Sequence, residues 1–168
     1  MPTRKIYLLL DDVRSSHNVG SMLRTAEGLG VFEVIMCGIT PYPMLENNDT
    51  RLPYLAAKIT KRIAKTALGA EQSQKWRYVE DAMSVLTTLK AEGANIVALE
   101  QDSQALPLLD YRLKSDLVLI VGNEIKGVSS DCKLLADAIV EIPMQGRKES
   151  FNVSAAAAMA LFYFTLML

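Results

Sequence analysis

The chain has 168 residues, 50% of them hydrophobic and 22% charged, with 18 Lys plus Arg against 19 Asp plus Glu and one His. That composition excludes a disordered or fibrous chain, and a domain of this size buries roughly 70% of its unfolded surface, so its core needs neither metal nor disulfide. A net charge of −1 gives no general attraction to phosphate, while Cys37 and Cys132, outside any CxxC or Cys/His cluster, exclude a zinc site of ordinary spacing and a secreted disulfide scaffold; a reducing cytoplasm is expected.

The apolar run Ile6 to Leu10 stops at Asp11 and Asp12, too short for a signal peptide, and reads as a buried strand. A helix at about Val19 to Leu29 and a strand at Val34 to Met36 follow. Thr40 to Arg51, with Pro41, Pro43, Asn47, Asn48 and Asp49, lacks periodicity and reads as a mobile loop. Next come a helix at about Leu55 to Leu68, a weaker strand at about Gln74 to Tyr78 and a helix from about Asp81 to Glu92. Strands at Asn95 to Leu99, Leu117 to Val121 and Ala138 to Ile142 enclose a helix at about Ser129 to Leu135, and a last helix starts near Asn152. Its stretch Val153 to Leu168 is almost continuously apolar but short of the roughly 20 residues that span a bilayer, so it reads as buried helix, with no membrane partner.

Continuous apolar strands alternating with helices predict a single, doubly wound α/β domain with a mostly parallel sheet flanked by helices. No repeat, domain boundary or low-complexity segment interrupts it. One basic concentration occurs: Arg51, Lys58, Lys61, Arg62 and Lys65, then Lys75 and Arg77. A solvated helix face has at least as strong a claim to it as a binding patch.

Three segments ask for more than a fold. In the first, Asp11 to Arg24, a strand ends in a polar loop that starts a helix; Asn18 is a candidate N-cap and Arg24 lies nearly two turns in. In the second, Leu117 to Ser129, Gly122 and Gly127 flank a polar loop. It is not a Walker A loop, and Gly28-Leu29-Gly30 opens no GxGxxG fingerprint, so triphosphate and dinucleotide readings are weak. A plain turn would explain the glycines but not Glu124 between them. In the third, Ile142 to Ala155, a strand again gives way to a glycine loop and a helix that Ser150 or Asn152 can cap. Ligands bind at the carboxyl ends of strands in open α/β sheets, and three such segments converge on one crevice.

On these residues the chain resembles the SpoU-type (TrmH class) RNA ribose 2'-O-methyltransferases of the SPOUT superfamily. The first motif is His17-Asn18-Val19-Gly20 with Arg24-Thr25-Ala26-Glu27 and Gly30-Val31. The second is Ile120-Val121-Gly122-Asn123-Glu124 with Gly127, and the third is Ile142-Pro143-Met144 with Ser150-Phe151-Asn152-Val153-Ser154. Lys65 to Ala70 also looks like a family segment, and the likeness runs over essentially the whole chain.

The resemblance implies a C-terminal deep trefoil knot, an exception to the rule against threaded loops. It implies S-adenosylmethionine as cofactor, with no metal, held by Leu99, Gly122, Ile142, Met144, Ser150 and Phe151. It implies methylation of a ribose 2'-hydroxyl in RNA, tRNA first and rRNA second, with a catalytically weak RNA-binding relative as the alternative. Arg24 falls on the catalytic position. A guanidinium with a pKa above about 12 makes a poor base, so orientation and alkoxide stabilisation are its preferred role. Asn18 would position the nucleotide, Glu124 would hold the arginine or shape the loop, and Ser150 and Asn152 would line the reaction centre. His17 could be a general base, but a loop or cap hydrogen bond is preferred for it. Cys37 and Cys132 read as small buried apolar groups. The family works as homodimers, which the apolar Ala155 to Leu168 fits, and a partner could deliver Arg24. RNA binding would rest on Arg4, Arg14, Lys58, Lys61, Arg62, Lys126, Arg147 and Lys148, doubled by the dimer.

Overall fold

The computed structural model describes residues 4–167. Within them the strands β1 (Ile6–Asp11), β2 (Glu33–Cys37), β3 (Trp76–Val79), β4 (Asn95–Leu99), β5 (Leu106–Pro107), β6 (Leu117–Val121) and β7 (Ala138–Glu141) form one sheet in the order β3-β2-β1-β6-β4-β7-β5. Every pairing is parallel. The helices are α1 (Ser16–Gly28), α2 (Pro53–Ala67), α3 (Ala70–Ser73), α4 (Ala82–Ala91), α5 (Ser130–Leu135) and α6 (Val153–Phe162).

The central strands are apolar at nearly every position because both faces are covered. Alternation then sorts their side chains into two cores. Ile6, Leu8, Leu10, Leu117, Leu119 and Val121 pack with Val19, Met22 and Leu23 of α1, Ile63 of α2 and Ala157, Ala160 and Leu161 of α6. Tyr7, Leu9, Val118, Ile120, Ile96 and Ala98 pack on the other face with Val85, Leu86 and Leu89 of α4 and Cys132 of α5. Helix α2 lies across α1 with no room to spare: a Cβ on Gly20 would overlap the Ile63 carbonyl oxygen and the Thr66 hydroxyl.

The strong strands fall where the apolar runs predict them, and the departures have local causes. Asn18 is not the cap of α1: Ser15 is, its hydroxyl accepting the Asn18 N–H at 3.3 Å, so the helix begins earlier and the Asn18 amide is left for other partners. Gln74 precedes β3 rather than joining it, because its amide is buried and donates to the Val31 and Lys75 carbonyls at 3.0 Å each. The short α3 and the two-residue β5 carry no periodic signal. Tyr163–Met167 continues α6 as a π-helical turn, and Leu168 lies outside the described residues.

The stretch Thr40 to Arg51 is irregular, yet it is cross-linked rather than loose. Arg51 bonds both carboxylate oxygens of Asp49 (2.9 and 2.6 Å) and the Tyr42 and Pro43 carbonyls (2.8 and 3.1 Å). Its guanidinium lies 3.6 Å from the centre of the Tyr42 ring, which itself stacks on Tyr78 at 4.0 Å. Arg51 therefore leaves the basic concentration and serves this loop.

Candidate active site

Strand order changes direction at β1: β2 and β3 lie on one side, β6, β4 and β7 on the other. In open α/β sheets this is where a crevice opens at the carboxyl ends. The loops that follow β1, β6 and β7 meet there.

After β1 the chain turns sharply, with Asp12 at φ +55°. The two aspartates hold neighbouring loops by their backbone. Asp11 accepts the Ser129 N–H at 2.8 Å and Asp12 the Ile39 N–H at 2.9 Å. The loop after β6 is pinched shut by paired backbone bonds between Asn123 and Gly127, at 3.0 and 2.9 Å. Asn123 accepts from the Ile125 and Lys126 N–H groups and donates to the Asp12 carbonyl. Gly122 permits the pinch, since a Cβ there would overlap the Gly127 carbonyl carbon and the Val128 nitrogen. Glu100, just past β4, clamps the far side by accepting the Val128 N–H at 2.7 Å.

Glu124 explains why a carboxylate sits between the glycines. It accepts the Arg14 N–H at 2.9 Å, the Ser15 N–H at 3.0 Å and the Asn18 side-chain amide at 2.9 Å. Burial pulls its pKa up, but the N–H of Arg14 and the Asn18 amide, helped by the N–H groups of Glu124 and Ser15, hold it below the ordinary glutamate value. The Asn18 oxygen in turn accepts from the Asn152 amide at 3.2 Å, and the Asn152 oxygen caps α6 through the Ser154 and Ala155 N–H groups. One chain of hydrogen bonds, Glu124–Asn18–Asn152, thus ties all three motifs together. Glu124 shapes the loop; among the described residues its partners are Arg14, Ser15 and Asn18, and it does not hold Arg24.

Below this chain a cleft opens, its apolar wall made by Leu99, Val121, Ile142, Phe151 and Val153 and its polar parts by Glu100, Asn123, Glu124, Glu141, Ser150 and Asn152. Of the cofactor residues expected from the sequence, Leu99, Gly122, Ile142, Ser150 and Phe151 line it and Met144 does not. Arg24 is exposed on α1, makes no side-chain hydrogen bond or ion pair within the described residues, and is not on the cleft. The His17 imidazole is exposed and likewise unpartnered; the loop bond is made instead by its carbonyl, which accepts from Thr66 at 2.8 Å. Glu100 and Glu141 escaped the sequence reading, although a carboxylate at the end of a buried strand was the signal that could have found them.

Among the described residues the lining includes three glutamates and no Lys, Arg or His. Such a site repels phosphate and favours a ligand that is apolar at one end and cationic at the other. Among the described residues no His, Cys, Asp or Glu group is placed to hold a metal ion. Cys37 and Cys132 are free and buried; burial pushes their thiols up to about 12 and about 11, as small core groups rather than nucleophiles.

Fold and cleft together define an α/β protein with a cleft at the carboxyl ends of a parallel sheet. The chain matches the SpoU rRNA Methylase family over residues 5–162, and it belongs to that family. It is 30% identical to the 23S rRNA (guanosine-2'-O-)-methyltransferase RlmB of Acinetobacter baylyi, over 94% of this chain and 58% of that protein. It is 28% identical to the tRNA (guanosine(18)-2'-O)-methyltransferase of Aquifex aeolicus, over 95% of this chain and 68% of that one. Among solved structures, the SpoU methyltransferase AviRb from Streptomyces viridochromogenes in complex with AdoMet superposes with a TM-score of 0.77 at 23% identity, over 96% of this chain and 60% of that one. The chain thus spans under two thirds of the RlmB relative's length.

Proposed function

We propose that the protein transfers a methyl group from S-adenosylmethionine to a ribose 2'-hydroxyl of RNA, with tRNA as the substrate. The observation that carries this reading is the Glu124–Asn18–Asn152 chain above a cleft lined by glutamates and apolar groups. The lining suits the cofactor: Leu99, Ile142 and Phe151 would take the adenine, and Glu100, Glu124 and Glu141 would face the cationic end. When bound, S-adenosylmethionine supplies a methyl group made electrophilic by its sulfonium.

Held by these residues, the cofactor would supply its methyl carbon to the ribose 2'-oxygen and leave as the neutral thioether, the hydroxyl proton passing to solvent water. Asn18 and Asn152, fixed by Glu124 and by the α6 cap, would orient the ribose, with Ser150 and Asn152 lining the cleft and Asn18 bonded to Asn152 behind it. Arg24 would orient the hydroxyl and stabilise the developing alkoxide as a permanent cation. Its place off the cleft favours delivery from a second protomer. Support for a homodimer comes from α6 and the turn after it, where Ala155, Met159, Phe162 and Leu166 make an exposed apolar stripe at helical spacing; Phe162 is 50% and Leu166 63% exposed. The order β6-β4-β7, in which the chain twice passes β4, is compatible with the trefoil threading. Free buried thiols fit a reducing, cytoplasmic setting.

The likeness to RlmB favours a second reading with rRNA as substrate. Labelled methyl from S-adenosylmethionine, offered separately to tRNA and rRNA and mapped by nuclease digestion, decides between them. Arg24→Ala should abolish label in whichever RNA accepts it while cofactor binding persists. Undiminished turnover in that variant would remove Arg24 from the mechanism, and full activity in a demonstrated monomer would remove the partner. Cofactor and RNA binding without transfer would leave a non-catalytic relative.

A further inference from the structure

Helix α2 has the sequence Pro-Tyr-Leu-Ala-Ala-Lys-Ile-Thr-Lys-Arg-Ile-Ala-Lys-Thr-Ala and contains no acidic residue, although the whole chain carries one net negative charge. At about 100° per residue, Lys58, Lys61, Arg62 and Lys65 fall within an arc of roughly 100°, with Tyr54 inside it. Ala56, Ile63 and Ala67, the buried residues of the helix, lie on the opposite side. All four cations and Tyr54 are exposed, Tyr54 at 67%, and none of the cations forms an ion pair or side-chain hydrogen bond within the described residues. By contrast Lys75 and Arg77 face the buried Glu33 and Lys133 faces Asp102.

A solvated face usually mixes signs, because neighbouring like charges repel. Four unneutralised cations with an aromatic ring in line make a surface for a polyanion that offers rings to stack on. Its position gives it direction. Thr66, next to Lys65, donates its hydroxyl to the carbonyl of His17, the neighbour of Asn18, and α2 touches α1 closely at Gly20. The stripe therefore starts beside the candidate site and runs about 17 Å away from it, from Lys65 to Tyr54, at 1.5 Å per residue.

We infer that this face of α2 is the track on which the RNA backbone flanking the target nucleotide docks, Lys58, Lys61, Arg62 and Lys65 meeting phosphates and Tyr54 a base. The inference rests on the RNA reading above and gives it a location. It also accounts for RNA binding by a chain whose cleft is acidic: anchoring and chemistry are on separate surfaces.

The test uses the whole protein with Lys58, Lys61, Arg62 and Lys65 changed together to Gln, and a second variant with the three lysines changed to Arg. Unfractionated tRNA and purified rRNA are the probes, with filter binding followed from 50 to 200 mM salt. Loss of four phosphate contacts should lower the slope of log affinity against log salt by about 3, at ~0.7 per contact for single strands. It should raise the KM for RNA at least tenfold, with S-adenosylmethionine affinity, the thermal midpoint and kcat at saturating RNA unchanged, and the Arg variant should keep the wild-type slope. Unchanged slope and KM in the Gln variant, with wild type binding RNA, overturn the inference alone. Failure of the wild type to bind either RNA overturns the RNA reading with it. Wild-type binding to phosphatidylserine vesicles through this stripe, in place of RNA, also overturns it.

Discussion

The sheet has a hollow at each end, and the two are built on opposite electrostatic plans. At the amino ends of the strands, Glu33 is buried but faces Lys75 and Arg77 at 3.5 and 3.6 Å, while Lys5 and Lys75 lie over the ring of Phe32 at 4.9 and 4.5 Å. Tyr7, Glu92 and the α4 residues Ser84, Val85, Thr88 and Leu89 also line that hollow. At the carboxyl ends, Glu100 and Glu124 accept backbone N–H groups from loops distant in sequence, and no cation among the described residues lines the cleft. Backbone donors fix a carboxylate in place without cancelling its charge, whereas a lysine or arginine does both. The carboxylate of the first hollow is neutralised by neighbouring side chains; those of the second keep their negative charge facing the cleft.

The largest effect should come from Gly122→Ala. The added methyl overlaps the backbone of Gly127 and Val128, so the pinched loop must open. Overpacking of this kind costs about 1–3 kcal/mol. Thermal melting should show the loss and calorimetric titration should show S-adenosylmethionine affinity down at least a hundredfold; normal affinity would mean that loop closure does not shape the cleft.

Next is Glu124→Gln, which sets an amide NH2 against at least one of the donors Arg14, Ser15 and Asn18. A charge-assisted bond is worth about 1.5–3 kcal/mol, so methyl transfer should fall at least tenfold in a folded protein. The matching change at the other end, Glu33→Gln, meets cations that are half exposed. It should cost under about 1 kcal/mol and leave transfer rates untouched; equal losses from the two substitutions would erase the contrast between the hollows.

Acid sharpens the same comparison. Glu124 is held below its ordinary pKa, as is Asp137, where burial pulls upward but the Ile96 N–H and Lys90 prevail. A group whose folded pKa is depressed contributes its full stability above the unfolded carboxyl value, near pH ~4, and loses it as pH falls through the folded one. The melting temperature should therefore drop below about pH 4, and the drop should be smaller in Glu124→Gln. A melting temperature that rises on acidification would contradict the assignment. The smallest effect concerns Cys37 and Cys132, with thiols near 12 and 11: at pH 8 a thiol reagent should label the native chain far more slowly than the unfolded one.

Much of this molecule was legible in order along the chain. Runs such as Leu117–Val121 could only be strands covered on both faces, and their alternation with helices dictated a parallel sheet whose loops gather at one end. Gly122, Gly127, Asn18, Glu124 and Asn152 stood out because each breaks the local pattern where a strand gives way to a helix. What remained out of reach depends on partners far away in sequence. That Ser15 rather than Asn18 caps α1 goes with the Asn18 side chain being held at both ends across the fold, its amide by Glu124 and its oxygen by Asn152. That Glu100 clamps a loop and Arg51 braces another, instead of joining a basic face, depends on carbonyls and N–H groups that only packing brings within 3 Å. Local periodicity determines which residues are buried, because burial follows the pitch of helix and strand. Which polar groups meet one another is decided by tertiary structure, because a hydrogen bond depends on positions in space that no spacing along the chain encodes.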